Sequence, residues 1–134
     1  MNISFSAALP EHLTVLVSMM KELQADDPWS CYFDENEAGR TMDELLRNPS
    51  AGRVWLITAA SEMVGYIVMS FDYSLEYRGK NAWVDEFYIR ATHRGRGIGA
   101  KALDFFVEQA RELGVKVVHL EVNHGNPAIE LYRR

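Results

Sequence analysis

Three glycines at alternate positions, Gly95, Gly97 and Gly99, stand among arginines just ahead of an apolar-periodic run. Residues without a Cβ let the chain turn its backbone N–H groups inward. The first turn of a following helix adds amides without partners at the positive end of the macrodipole. The stretch Arg94-Gly95-Arg96-Gly97-Ile98-Gly99-Ala100 is therefore suited to hold phosphate, with Arg94 and Arg96 adding charge-assisted contacts. Upstream are two adjacent carboxylates, Asp85 and Glu86, in the β-rich run Val84–Ile89. Neighbours on a regular strand point to opposite faces, so only one of the two looks into a cleft. There a carboxylate can take a proton, directly or through water, or hold an ammonium group. The alternative is that these acids pair with Lys80 or Arg90.

The elements that position these residues can be read along the chain. Ile3 and Phe5 alternate with polar residues and predict a short strand. Pro10 suits a helix start, and Leu13, Leu16, Val17, Met20 and Leu23 carry helical spacing to about Leu23. The loop from Gln24 to Glu37 mixes Asp26 and Asp27 with Trp29, Tyr32 and Phe33, as either a surface connection or a rim for an ammonium group. A second helix is expected over Asn36–Arg47, with Met42, Leu45 and Leu46 inward. Val54–Ala59 and Met63–Ser70 then read as a hairpin, with Gly65 marking a bulge or a close backbone approach. Asp72 to Gly79 is expected to be a connection. The helix that follows the glycines is expected over Gly97–Leu113, with Ile98, Ala102, Leu103, Phe106, Val107 and Ala110 on one face and Gly114 as its C-terminal cap. Val115–Val122 completes a parallel βαβ unit, and a last helix is expected over Ala128–Tyr132.

The 134 residues are expected to form one domain over residues 1–134. A composition 48% apolar and 25% charged fits a globular α/β protein. The net charge of −5 argues against nucleic acid as the main partner and favours a cationic substrate. No apolar run suits a bilayer span, and no basic-then-apolar leader opens the chain, so no membrane partner is expected. The lone Cys31 forms no internal disulfide and has no evident base partner. A reducing, cytoplasmic setting is expected. His12, His93, His119 and His124 are scattered without metal or triad spacing, so no metal is expected; His93 reads as a loop residue and His119 as a packed one.

Rival readings of the glycines are weaker. Gly95, Gly97 and Ala100, with Glu121 downstream, match a dinucleotide fingerprint. That fingerprint starts directly at its strand end, however, whereas five residues separate Ile89 from Gly95, and too little chain follows for such a sheet. A Walker loop is excluded because no Gly-Lys-Ser/Thr follows.

The run resembles the acyl-coenzyme A pyrophosphate loop of the GNAT (GCN5-related) N-acetyltransferase superfamily, Arg/Gln-x-x-Gly-x-Gly/Ala, filled here by Arg94, Gly97 and Gly99. Asn126 to Arg134 is similar to a later motif of that family. The resemblance implies a mixed sheet splayed between its fourth and fifth strands, acetyl-CoA as cosubstrate, and a primary amine as acceptor. It implies Tyr132 as general acid and Asn126 as a contact to the cofactor arm, although the Asn126–Tyr132 spacing is one residue shorter than the common form. Backbone groups of Phe87, Tyr88 and Ile89 would pair with that arm and polarise the thioester carbonyl, and Arg94 through Ala100 would hold the pyrophosphate.

Comparison with the polyamine acetyltransferase branch points to Asp85 as the active-site carboxylate, slightly preferred, with Glu86 as a second acid. Ser74-Leu75-Glu76-Tyr77 also resembles that branch, so a small polyamine-like or aminoglycoside-like amine is the expected substrate. A non-catalytic acyl-CoA-binding module is the other reading. Homodimers are common in the family. Members usually continue beyond the tyrosine helix with further strands, so a chain ending at Arg134 is expected to be truncated or to be completed by a partner.

Overall fold

Alternation of β-branched and aromatic residues builds a five-stranded sheet in the computed structural model, which describes residues 2–26 and 33–120. The strands are β1 (Ile3–Ala7), β2 (Gly52–Ala59), β3 (Glu62–Ser74), β4 (Gly79–Ile89) and β5 (Val117–Leu120). They lie in sequence order, with antiparallel pairing from β1 through β4 and a parallel β4–β5 pair. The helices are α1 (Leu13–Asp26), entered through a 3-10 turn at Pro10–His12, α2 (Glu35–Leu46) and α3 (Ile98–Glu112).

Each face of the sheet buries a separate cluster. Leu16 and Met19 of α1 and Met42 of α2 pack on Val54, Leu56, Tyr66, Val68 and Tyr88. On the opposite face α3 sets Phe106 and Ala110 against Trp55, Ile67, Met69, Ala82 and Val84, and Ile98 and Ala102 against Ile57, Ala59 and Val64. Asp34 caps α2 by accepting from the amides of Asn36 (2.8 Å) and Glu37 (3.2 Å), satisfying donors that the helix itself cannot.

Several expectations need adjusting. Asp72 to Ser74 extend β3 and Gly79 already opens β4, so the connection is only the turn between them. Cross-strand pairing supplied what the polar sequence did not advertise. Met19 joins the core, whereas Val107, expected inward, is 40% exposed, because α3 buries a narrower stripe than its apolar residues would allow. Gly65 combines both features expected of it. β3 carries an extra residue at Val64, between the pairs Ile57–Gly65 and Thr58–Met63, and a Cβ at Gly65 would meet the Tyr88 carbonyl oxygen. Gly114 takes the positive φ (77°) that suits a helix C-terminal cap. The expected last helix lies outside the described residues.

Candidate functional site

β4 runs from the hairpin into the glycine loop, and its pairing changes along its length. β3 accompanies it as far as Ile89, whereas among the described residues β5 pairs only with Asn81–Val84. On the β5 side, Asp85–Ile89 thus have no strand partner among the described residues, which leaves alternate backbone N–H and C=O groups for an extended ligand.

The second feature of β4 is a register shift. Met69 pairs with Val84 and Val68 with Glu86, so Asp85 is a surplus residue. Regular alternation would send Glu86 to the face of Ala82 and Val84, under α3. The bulge turns it to the face of α1 and α2 instead, where Tyr66 Oη donates to Glu86 Oε1 at 2.8 Å. The premise that the two acids simply face opposite ways therefore fails at this point. Asp85 is exposed at the bulge, and its charge acts on both Glu86 and Tyr66. Burial, then the Asp85 charge, raises the Glu86 carboxyl above the usual range, and the Tyr66 hydrogen bond partly offsets this. Burial first, then the Glu86 charge, pushes the Tyr66 phenol far above its ordinary value, so it remains a neutral donor. Neither acid pairs with Lys80 or Arg90. Lys80 Nζ lies 4.7 Å from the Phe71 ring centroid, and Arg90 is engaged by Glu22.

Beyond Ile89, a 3-10 turn at Ala91–His93 leads to the glycines. His93, expected to be a plain loop residue, has Nε2 3.5 Å from Glu62 Oε2. Gly95 and Gly97 take φ of 77° and 81°, a region that L side chains disfavour. A Cβ on either would meet nothing within 4 Å, so the loop borders open space. Gly97 is the N-cap of α3 and provides no side-chain cap, which leaves first-turn amides without a side-chain acceptor. Such a loop can receive an anion on its backbone amides.

Arg94 does not reach into that space. Its Nε donates to the Ile89 carbonyl at 2.7 Å, its Nη2 to Asp26 Oδ2 at 2.8 Å, and its guanidinium lies 5.5 Å from the Tyr88 ring centroid. Arg96 is exposed and has no ion-pair partner among the described residues. Tyr88 donates its hydroxyl to Glu22 Oε1 at 3.2 Å; burial and the Glu22 charge push its phenol up to about 12. Arg90 Nε stands 3.3 Å from the same Glu22 oxygen without hydrogen-bond alignment, and Arg90 Nη1 donates to the Met63 carbonyl.

Glu22 and Tyr66 were not singled out from sequence, although each left a signal. Two acids, Glu22 and Asp26, near the C-terminus of a helix with no basic residue in its last turn oppose the macrodipole and call for cations from elsewhere. A tyrosine inside an apolar strand needs a partner for its hydroxyl. Tyr132, Asn126, Asp27 and Cys31 lie outside the described residues.

Residues 16–134 match the Acetyltransferase (GNAT) family. The chain is 33% identical over 72 residues to the thialysine N-epsilon-acetyltransferase of Bos taurus, a match spanning 53% of this chain and 42% of that protein. It is 26% identical over 122 residues to the streptothricin acetyltransferase of Streptomyces lavendulae, covering 86% of this chain and 60% of the relative. Among solved structures, an integron cassette protein from the mobile metagenome of Cole Harbour Salt Marsh superposes with a TM-score of 0.83 at 35% identity, over 88% of this chain and 76% of that one. A predicted acetyltransferase from Clostridium acetobutylicum, solved with acetyl-CoA, superposes with a TM-score of 0.82 at 21% identity, over 98% and 88% of the two chains, and shares the fold. With the strand, bulge and glycine loop in this arrangement and the family match running from α1 to the last residue, the chain belongs to the GNAT acetyltransferase family.

Proposed function

We propose that residues 1–134 act as an N-acetyltransferase domain that moves an acetyl group from acetyl-CoA to a primary amine of a small cationic molecule. The observation that carries this reading is the continuity of β4, which leads from a carboxylate anchored by a buried hydroxyl, past backbone that has no strand partner on its β5 side among the described residues, into an open glycine loop. The residues present fit the cosubstrate. Amides from Gly95, Gly97, Ile98, Gly99 and Ala100, with Arg96 and, once it leaves Asp26, Arg94, would hold the pyrophosphate, and backbone groups of Phe87, Tyr88 and Ile89 the pantetheine arm. Acetyl-CoA supplies the acetyl group as a thioester.

Glu86 takes the proton from the incoming ammonium. Its raised basicity suits that task, and Tyr66 fixes the carboxyl in one orientation. Asp85, preferred from the family comparison, is exposed and is assigned here to attracting the cation. As the nitrogen–carbon bond forms and the carbon–sulfur bond breaks, the leaving thiolate needs a proton. The family comparison gives that role to Tyr132 and a cofactor contact to Asn126.

Thiol release from acetyl-CoA, measured with polyamines, aminoglycosides, amino acids and peptides, tests this reading. Release is expected with one amine class. Glu86→Gln should lower kcat by about 10²- to 10⁴-fold at unchanged acetyl-CoA affinity, and Tyr132→Phe should also lower kcat. If acetyl-CoA binds but no amine raises thiol release, the chain is an acyl-CoA-binding module and the proposal fails.

A further inference from the structure

Arg94 rests partly on β4 and partly on α1. Its Nε donates to the Ile89 carbonyl at 2.7 Å and its guanidinium lies 5.5 Å from the centre of the Tyr88 ring, while Nη2 reaches across to Asp26 at 2.8 Å. These contacts use different atoms. A guanidinium carries its N–H donors in a rigid fork, so the Nη groups can exchange Asp26 for a phosphate while Nε keeps its carbonyl and the plane keeps its ring. The Ile89 carbonyl then serves as a hinge and the Tyr88 ring as a platform.

One side chain of α1 holds both. Tyr88 and Arg90 bracket Ile89, and both turn to Glu22: Tyr88 Oη donates to Glu22 Oε1 at 3.2 Å, and Arg90 Nε stands 3.3 Å from the same oxygen. Arg90 carries the tie on to β3, since its Nη1 donates to the Met63 carbonyl at 3.2 Å and its amide to the Val64 carbonyl at 2.7 Å. Glu22 thus joins α1 to both strands where β4 passes into the turn that leads to the glycines.

The spacing pairs the acids with the arginines. Glu22 and Asp26, four apart, share one side of α1, and Arg90 and Arg94, four apart across the 3-10 turn, each meet one of them. The two acids differ in their surroundings. Asp26 is 45% exposed and faces an arginine 48% exposed, so water can take the place of Arg94 there at small cost. Glu22 accepts from a tyrosine that is 4% exposed and packed with Leu16 and Met19, a hydroxyl that loses its partner if the carboxylate is removed. One contact is built to be exchanged and the other to stay.

We propose that Glu22 is a positioning residue for the cosubstrate: by fixing Tyr88 and Arg90 on either side of Ile89, it sets the pivot on which Arg94 turns from Asp26 to the pyrophosphate. The role needs no contact between Glu22 and acetyl-CoA. It deepens the acetyltransferase reading and rests on it for the task of Arg94.

A double-mutant cycle followed by calorimetry with acetyl-CoA tests this. Arg94→Ala should weaken binding about tenfold, the loss of a charge-assisted contact. Glu22→Ala should weaken it about fivefold in the wild-type background, and by less than about twofold where Arg94 is already alanine, because the pivot then has nothing to carry. Glu22→Gln keeps an acceptor for Tyr88 and drops the charge facing Arg90. Its loss should fall between wild type and Glu22→Ala and should also vanish beside Arg94→Ala, and it carries the test if Glu22→Ala melts below the assay temperature. In thiol-release assays Glu22→Ala should raise KM for acetyl-CoA about fivefold, with kcat at saturation within about twofold of wild type. An equal loss in both backgrounds assigns Glu22 to packing alone and overturns the proposal, as does a Glu22→Ala protein that binds like wild type; acetyl transfer by the wild type stands in either case. Conversely, coupling of Glu22 to Arg94 with no thiol release from any amine upholds the pivot and removes the acetyltransferase reading. A wild type that binds no acetyl-CoA overturns both.

Discussion

Replacing Gly65 with alanine measures how closely β3 and β4 are drawn together beneath the site. The added Cβ would stand 2.1 Å from the carbonyl oxygen of Tyr88 and 3.1 Å from its carbonyl carbon, where real Cβ atoms essentially never come under 3.0 Å. The obstacle is backbone and cannot rotate away, so the strands must part by about 1 Å at this point. The Arg90 amide, which donates to the Val64 carbonyl at 2.7 Å, bridges the strands one residue from Gly65 and two from Tyr88 and is stretched with the strain. Overpacking costs about 1–3 kcal/mol and a weakened ladder hydrogen bond about 1 more, a loss of roughly 2–4 kcal/mol. At about 3–5 °C per kcal/mol for a chain of this length, Tm should fall by about 10 °C.

Gly39→Ala is the matched control. In α2 its Cβ would rest 3.7 Å from Val17 Cγ2, an ordinary contact. The helix should then gain about 0.5–1 kcal/mol from the lower entropy of the unfolded chain. Thermal melts followed by circular dichroism should move the two variants in opposite directions. A Gly65→Ala protein that melts within about 3 °C of wild type would refute the argument from strand separation.

Two further outcomes follow from the charges. Glu86 has a folded-state pKa above its unfolded value, so its contribution to stability is fully present below the unfolded pKa and is lost as pH rises through the folded one. Glu86→Gln, which keeps an acceptor for Tyr66, should therefore melt above wild type at pH 8, with the gap closing as pH falls towards 5; a gap independent of pH would contradict the assignment. Asp26→Asn frees Arg94 from an ion pair about half exposed at both ends, worth up to about 1 kcal/mol. Acetyl-CoA should bind up to about fivefold more tightly to that variant by calorimetry, and weaker binding would show that Asp26 orients Arg94 rather than competing for it.

Most of the scaffold was legible because it depends on local patterns. The period change from α1 and α2 to the β2–β3 hairpin, the glycines before α3 and the strand–helix–strand order all come from residue types at short range, and the elements among the described residues lie near their expected places, except that β3 runs four residues further and β4 starts five residues earlier than expected. What stayed hidden depends on counting across strands. No local signal marks Asp85 as the surplus residue, since the bulge arises from how β4 registers on β3, and with it went the facing of Glu86 and its bond to Tyr66. The partners of Arg90 and Arg94 were equally out of reach, because Glu22 and Asp26 are distant in sequence and meet the arginines only when α1 packs on the sheet. Phe87, Tyr88 and Ile89 lie in the expected strand because they follow the bulge as an unbroken run of β4.

The bulge also gives the chain an uncommon kind of mutational tolerance. Between Val84 and Phe87, which both pack on the α3 side, a flat strand has room for one residue and β4 holds two. Losing the codon for Asp85 would leave Glu86 directed as it is now; losing the codon for Glu86 would bring Asp85 into the same direction, one methylene shorter. Either deletion keeps the frame of every side chain before and after it, while inserting a residue there would send a non-acidic neighbour or a third acid into the same crowded turn. In this segment the carboxylate's address is written in the length of the chain rather than in the identity of one position, and families of such sequences would be expected to vary here by gain and loss of a residue as readily as by exchange.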